Sequence, residues 1–183
     1  MGRPRNGAAH KGFTLLETMV ALVILGIGMV ALAAMLSTSI AYMNSAQADF
    51  IAQQKASEAV ESIFTARDAQ AITFSQIQNV SSGGIFLDGP ANLVDPGPDG
   101  IVDTADDNAA LPDTIIKPGP DGILGTADDI LIVLSVYYKM QRTIVITNIA
   151  GENNVRMITV TVTYTTGTFN RAYTVTSYIS QYS

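Results

Sequence analysis

The feature that most constrains this chain is a run of 19 uncharged, mostly apolar residues at positions 18–36. An α-helix rises about 1.5 Å per residue, so a helix of this length nearly spans the ~30 Å hydrocarbon core of a bilayer. The preceding residues 1–12 contain Arg3, Arg5 and Lys11 and no acid. Basic residues on that side predict a single-pass anchor whose N-terminus stays in the cytoplasm and whose C-terminal part faces outwards.

One acid, Glu17, lies at the start of this run. A carboxylate in lipid is costly, and acids within membrane segments usually have a partner and a function. Two alternatives are an ordinary signal anchor and a signal peptide cleaved near Ala31, Ala33 and Ala34. Neither explains the acid, and the helical pattern continues past those alanines. We therefore predict that the apolar run is retained in the mature protein.

Residues 11–17, KGFTLLE, resemble the recognition site of type IV prepilins and pseudopilins, and the resemblance continues through residues 20–28. It implies that prepilin peptidase cuts between Gly12 and Phe13 and that Phe13 becomes the N-methylated first residue. It also implies that Glu17 pairs with the N-terminal amine of a neighbouring subunit during assembly. Such a pair neutralises the new amine where lipid or packed helices exclude water.

The resemblance has a finer aspect and one departure. The apolar run is most similar to those of minor pilins of the PilV type, with a pseudopilin of type II secretion as the second choice. Many major pilins carry a proline where this chain has Ala34. Gly26 and Gly28 leave two interpretations open, close packing of membrane helices and a hinge. The implied partners are other pilin subunits, prepilin peptidase and the inner membrane before assembly. The implied destination is a periplasmic or extracellular filament.

The helical pattern extends beyond the apolar run. Residues 37–70 contain no Gly or Pro, and apolar residues recur there near helical spacing. We predict one helix from about residue 13 to about residue 67. Residues 13–40 form its transmembrane and assembly segment, and residues 41–70 form an amphipathic continuation. The predicted apolar stripe comprises Ile40, Met43, Ala46, Phe50, Ala56, Val60, Ile63 and Phe64.

The C-terminal part, residues 130–183, has a period of two instead. Ile158, Val160, Val162 and Tyr164 alternate with threonines, which is typical of a half-buried strand. Residues 130–138, 142–149 and 169–179 are predicted as further strands. The fold class is therefore α+β and pilin-like, a long N-terminal helix packed on an antiparallel sheet of about four strands. The family resemblance implies the same arrangement.

The variable region between helix and sheet, residues 71–129, contains an internal repeat. Residues 96–107, PGPDGIVDTADD, recur as residues 118–129, PGPDGILGTADD, with ten of twelve positions identical. Carboxylates on Gly-permitted turns suit Ca²⁺, which takes six to eight oxygen ligands. Ile101 and Ile123 are predicted to anchor the two loops in the domain. The alternative is a pair of solvated turns without an ion. The candidate calcium ligands are Asp99, Asp103, Asp106, Asp107, Asp121, Asp128 and Asp129.

Composition narrows the function classes. The chain has no Cys, and its one His, His10, lies in the predicted leader, residues 1–12. These absences exclude disulfides, Cys-ligated metals and a Ser-His-Asp triad in the mature chain. Residues 88–129 contain ten acids against Lys117 alone, which argues against nucleic-acid binding and suggests cations as partners.

The resulting prediction is a structural filament subunit and not an enzyme. A membrane-tethered calcium-binding or adhesive module that never polymerises is a second possibility. A tethered enzyme that uses Asp106 and Asp107 for acid–base chemistry is a third. It is the least supported, because no nucleophile–base constellation accompanies the two acids.

Overall fold

The computed structural model describes residue 12 and residues 14–182. The chain forms two compact units, Met1–Met43 and Asn44–Ser183. The predicted leader, apart from Gly12, lies outside the described residues, and so does Phe13.

Helix α1, Leu15–Asp68, is 54 residues long. Its start is capped, since the Glu17 amide donates to Thr14 Oγ1 at 3.3 Å and the Thr18 amide donates to the Thr14 carbonyl at 3.2 Å. A threonine side chain that accepts from the third helical residue satisfies one of the orphan amides of the first turn. The predicted long helix is confirmed, and it continues through Gly26 and Gly28.

Within the first unit, every described residue of α1 is exposed, including its large apolar side chains. By length and composition, α1 is the one helix of the described chain that could cross a membrane. A signal sequence near the N-terminus has the same properties, so this finding alone does not distinguish the two.

Within the second unit, α1 buries a narrow stripe made mostly of alanine. The buried residues are Ser45, Ala48, Ile51, Ala52, Ala56, Ala59, Ile63 and Ala66. The predicted stripe was right at Ala56 and Ile63, and Val60 and Phe64 are partly buried against the core. Ala46 is exposed, and Ile40, Met43 and Phe50 are 60, 73 and 66% exposed. The face of α1 that is buried in the second unit is thus formed mainly by small side chains. The sequence pattern therefore predicted a stripe of large apolar side chains where the structure buries mostly alanine.

The remaining elements are short strands followed by three long ones. The strands are β1 Ala91–Asn92, β2 Val94–Asp95, β3 Asn108–Pro112, β4 Thr114–Lys117, β5 Ile130–Val133, β6 Gln141–Ile149, β7 Glu152–Thr166 and β8 Phe169–Ser180, with a short helix α2 at Leu134–Tyr137. The main sheet is antiparallel and has the order β1-β6-β7-β8. Its inner face packs against α1 and includes the predicted residues Ile158, Val160, Val162 and Tyr164, all buried. The predicted α+β architecture with a four-stranded sheet is thus confirmed.

One strand was assigned wrongly. Residues 130–138 were predicted as one strand of the main sheet, but β5 ends at Val133 and pairs with β4. The fourth place in the main sheet belongs to β1, which pairs with β6. After Val133 the chain turns into α2, which places Leu134 and Tyr138 in the core one helical turn apart. A short apolar run fits a buried strand and a buried helical turn equally well, which explains the error.

Candidate functional site

The predicted processing and assembly motif lies at the start of α1. Gly12 is exposed, and a Cβ added to it would meet nothing within 4 Å. No contact of the described residues therefore requires glycine at this position. Lys11 and Phe13 lie outside the described residues, and cleavage between Gly12 and Phe13 stays a prediction.

Glu17 is the third residue of α1 and is exposed. Its carboxylate lies in the first turn, where the partial positive charge of the helix N-terminus stabilises an acid. No ion pair of the described residues involves Glu17. The neighbouring Leu15 and Leu16 are 77 and 72% exposed. Glu17 is thus an accessible carboxylate on an apolar surface, as a partner in another subunit would require.

Three hydroxyl groups of the exposed part of α1 bond to their own helix. The hydroxyls of Thr18, Thr38 and Ser39 donate to main-chain carbonyls one turn earlier at 2.8–2.9 Å. Such internal bonds are what a helix needs in lipid or among other helices, where water is absent.

The model of the prokaryotic N-terminal methylation motif matches residues 8–33. This N-terminus is that of the type IV pilin and pseudopilin family. The match covers the end of the predicted leader, the Gly12–Phe13 junction, Glu17 and most of the apolar run. None of the curated proteins and none of the solved structures matches the chain. The rest of this pilin-like chain is therefore interpreted from its own geometry.

The second notable feature is the pair of acidic repeats, residues 96–107 and 118–129. In the first copy, Asp99 Oδ1 accepts from the Ile101 amide at 2.7 Å. In the second copy, Asp121 Oδ1 accepts from the Ile123 amide at 2.8 Å. The sequence repeat is thus also a repeat of local structure.

The hydroxyl bonds recur in the same way. Thr104 Oγ1 donates to Asp106 Oδ1 at 2.7 Å, and Thr126 Oγ1 donates to Asp128 Oδ1 at 2.6 Å. The bond from Thr126 and another from the Asp121 amide lower the pKa of Asp128. Carboxylates that accept bonds within their own turns have a structural use that requires no ion.

A close backbone approach explains one glycine that the two copies share. A Cβ on Gly97 would lie 2.6 Å from the Asp106 carbonyl oxygen, and one on Gly119 would lie 2.1 Å from the Asp128 carbonyl oxygen. Each loop therefore folds back on itself at the same point, and a larger residue there would push its two ends apart.

The two copies differ sharply in burial. Ile101, Val102 and Asp103 are only 1–2% exposed, whereas Ile123 and Leu124 are 60 and 63% exposed. Residues 101–104 of the first copy are thus part of the core, whereas the corresponding residues 123–126 of the second copy are not. The prediction that an isoleucine anchors each loop is thus right for Ile101 and wrong for Ile123.

An ion pair fixes the first copy. Asp103 accepts from Arg142 Nε at 3.0 Å and from Arg142 Nη2 at 3.1 Å, and both side chains are buried. The second copy has Gly125 in place of Asp103 and lacks such a bond. Asp103, predicted as a calcium ligand, is therefore bonded to a guanidinium in this structure. A bidentate Arg–carboxylate pair is strong and geometrically specific.

Arg142 was not among the predicted site residues, although the sequence contains a signal for it. Arg142 is in phase with Ile144 and Ile146, which line the buried face of β6. Arg156 is likewise in phase with the buried residues of β7. A charge in phase with a buried face requires a partner inside, and here each arginine attaches another segment to the sheet.

Arg156 and Arg171 each connect the sheet to another segment of the chain. Arg156 Nη1 donates to the carbonyls of Phe74 and Ile77, the latter at 2.8 Å, and so holds the 3₁₀ turn Phe74–Gln76. Arg171 Nη1 lies 3.1 Å from Asp49 Oδ2 on α1.

Tyr164 also binds α1. Its hydroxyl donates to Asp49 Oδ1 at 2.8 Å. Burial and the bond to Asp49 raise the pKa of Tyr164 to about 12. The tyrosine therefore keeps its proton at neutral pH and ties β7 to the helix.

The candidate calcium ligands are only partly brought together. No group of three or more Asp, Glu or His side chains in the described residues is arranged to hold a metal ion. Asp107 Oδ2 accepts from the Asp103 amide at 2.8 Å, and Asp129 Oδ2 accepts from the Gly125 amide at 2.7 Å. Burial raises the pKa of Asp107. Asp129 Oδ1 is a buried carboxylate oxygen of the second copy without a hydrogen-bond partner among the described residues.

Proposed function

We propose that this chain is a minor-pilin-type structural subunit of a type IV pilus-like filament, processed after Gly12 and assembled through α1. One observation carries the proposal. The apolar part of α1 in the first unit is exposed throughout, whereas the second unit has a complete core of its own, formed by residues 48–179. An apolar surface of this extent needs lipid before assembly and other helices afterwards.

The proposed assembly step follows from the position of Glu17. Cleavage would create a charged amine on Phe13 of each subunit. Transfer of the helix from lipid into a bundle removes water from both charges, and a direct pair between subunits then offsets the cost of desolvation. A subunit would thus enter the bundle in the register at which acid and amine meet.

The processing step is tested by mass spectrometry of the native N-terminus. Cells with an active prepilin peptidase are expected to yield a mature chain that begins with methylated Phe13. A chain that retains Met1 in those cells would contradict the proposal.

A Glu17→Ala variant tests the assembly step. We expect normal processing but loss of the variant from purified filaments, because the partner amine is left buried and unpaired. Glu61→Ala, which removes another acid of the same helix, is the matched control and should be incorporated normally. Normal incorporation of both variants would show that Glu17 does not pair during assembly.

Two other functions share the same N-terminus. A pseudopilin of type II secretion would assemble into a secretion structure, and a tethered module would not assemble at all. Imaging of isolated filaments with an antibody to the second unit separates these cases. The family of proteins with the pilin motif is structural and not enzymatic, which is consistent with a subunit role.

We further propose that the second acidic repeat binds Ca²⁺. The unpartnered oxygen of Asp129 and the exposed carboxylates of Asp121 and Asp128 support this proposal. A ligand that binds the folded chain alone raises its thermal midpoint. Added Ca²⁺ is therefore expected to raise the midpoint of the full chain in detergent, and chelator should reverse the change. Asp129→Asn should abolish the shift, and an unchanged midpoint in wild type would leave the alternative of solvated turns.

A further inference from the structure

The contacts between α1 and β8 distinguish the two ends of the second unit. Asp49 on α1 pairs with Arg171 near the start of β8 at 3.1 Å, and Arg67 Nη1 donates to the carbonyl of Ser180, the last residue of β8, at 3.2 Å. Within this unit, α1 therefore runs in the same direction as β8. The turn between β7 and β8 thus lies at the end where the chain enters the unit, which we call the entry end.

The entry end carries large apolar side chains in solvent. Phe169, the first residue of β8, is 71% exposed, and Val136 and Tyr137 of α2 are exposed as well. The Thr165 amide donates to the Tyr138 carbonyl at 2.7 Å, so the end of α2 lies beside the end of β7. The three exposed apolar side chains therefore belong to the same end of the unit.

The charge of the entry end differs from that of the unit as a whole. The second unit contains 15 acids and 7 basic residues. In contrast, the charged residues of segments 134–141 and 163–172, which form the entry end, are Lys139 and Arg171. Asp49 pairs with Arg171, whereas Lys139 has no ion pair among the described residues. An acidic unit therefore has an end that is apolar and slightly basic.

We propose that the entry end rests on the bilayer surface before assembly, with Phe169 among the lipid headgroups. The proposal depends on α1 being the membrane anchor of the proposed function. A helix from Glu17 to Tyr42 is about 38 Å long, close to the roughly 40–45 Å of a bilayer with its headgroups. Tyr42 is exposed and would lie at the outer interface, where aromatic side chains are enriched. The second unit begins two residues later, at Asn44.

The chemistry of the entry end suits a lipid surface. Aromatic side chains favour the headgroup region, and lysine attracts anionic headgroups while its apolar stem stays near the lipid. Tyr137 has a second cation beside it, since Lys117 Nζ lies 5.4 Å from the centre of its ring. The opposite end of the sheet has the exposed acid Glu152 next to the turn between β6 and β7. Anionic lipids would repel that end and attract the entry end.

Single tryptophans test the contact, because the natural chain has no Trp. The full chain would be reconstituted in vesicles of phosphatidylcholine and phosphatidylglycerol, at a protein-to-lipid ratio low enough to isolate the copies. Some vesicles would contain lipids with a nitroxide quencher near the headgroup. Phe169→Trp is expected to emit at a shorter wavelength than Tyr178→Trp and to lose more of its emission to the quencher. Tyr178 is the matched control, an exposed aromatic residue about 30 Å further along the same strand.

A Tyr42→Trp variant separates failure of this proposal from failure of the proposed anchor. If Tyr42→Trp is quenched while Phe169→Trp behaves like Tyr178→Trp, the anchor is inserted but the entry end does not touch the bilayer, which overturns the proposal. Emission of Phe169→Trp at short wavelength without quenching by lipid would indicate contact with protein and would also overturn it. If Tyr42→Trp escapes the quencher, the anchor itself is wrong and this proposal fails with it.

Charge variants of the Phe169→Trp chain test the contribution of the headgroups. Lys139→Gln and Gln181→Glu each lower the net charge by one, the first at the entry end and the second at the opposite end. Lys139→Gln is expected to weaken quenching in vesicles that contain phosphatidylglycerol, and Gln181→Glu is expected to leave it unchanged. Equal quenching of the two variants would overturn the attraction of Lys139 to anionic headgroups.

Discussion

Replacing Asp103 with alanine is expected to destabilise the second unit by about 3–5 kcal/mol, because the buried guanidinium of Arg142 would lose its counter-ion. The side chains of Asp103 and Arg142 are only 3 and 1% exposed, so water cannot replace the lost carboxylate without opening the core. The measurement is denaturant unfolding of the full chain in detergent, followed by a signal from the β-sheet.

Two further variants make the result specific. Asp128→Ala removes an exposed acid of the second repeat and should leave the unfolding midpoint almost unchanged. The double variant Asp103→Leu with Arg142→Met replaces the ion pair by apolar side chains and should recover most of the lost stability. If Asp103→Ala were as mild as Asp128→Ala, the ion pair would not hold the first repeat in the core.

The second large effect is expected for Ile101→Ala, at about 2–5 kcal/mol, the range for deletion of a buried aliphatic side chain. Ile101 is 1% exposed. The equivalent change in the second repeat, Ile123→Ala, should lie within about 0.5 kcal/mol of wild type because that side chain is in solvent. Both measurements use the same unfolding assay.

The pair of isoleucines is a stringent test, since residue type and local sequence are the same in both repeats. Val102→Ala and Leu124→Ala form a second pair at the next position, and the same order is expected. Equal losses at Ile101 and Ile123 would mean that both repeats are buried in solution.

Much of the fold was predictable because it has strong periodicity. The uncharged run and its helical continuation predicted α1, and the alternation of Ile158, Val160 and Val162 with threonine predicted the buried face of β7. The pairing of β5 was not predictable. Its four apolar residues fit several partners, and the choice depends on contacts with β4 that no local pattern encodes.

The N-terminal motif was easier to recognise from the sequence than the environments of the two acidic repeats. Residues 11–17 form a compact motif whose parts are close in sequence. In the repeats, ten of twelve identical positions predicted equal environments. The difference between Asp103 and Gly125 acquires meaning only through Arg142, which is 39 residues beyond Asp103. A single sequence does not show which residues that are distant along the chain become partners in the fold.

The exposed second repeat also offers a way to determine on which side of the cell envelope this part of the chain lies. It lies between β4 and β5, which pair at four positions and close the base of the loop. Exposed loop tips of this kind are the sites at which insertions are best tolerated. A short epitope inserted after Gly122 would therefore leave the fold intact. Antibody binding to unbroken cells would then report whether this end of the molecule has reached the outside.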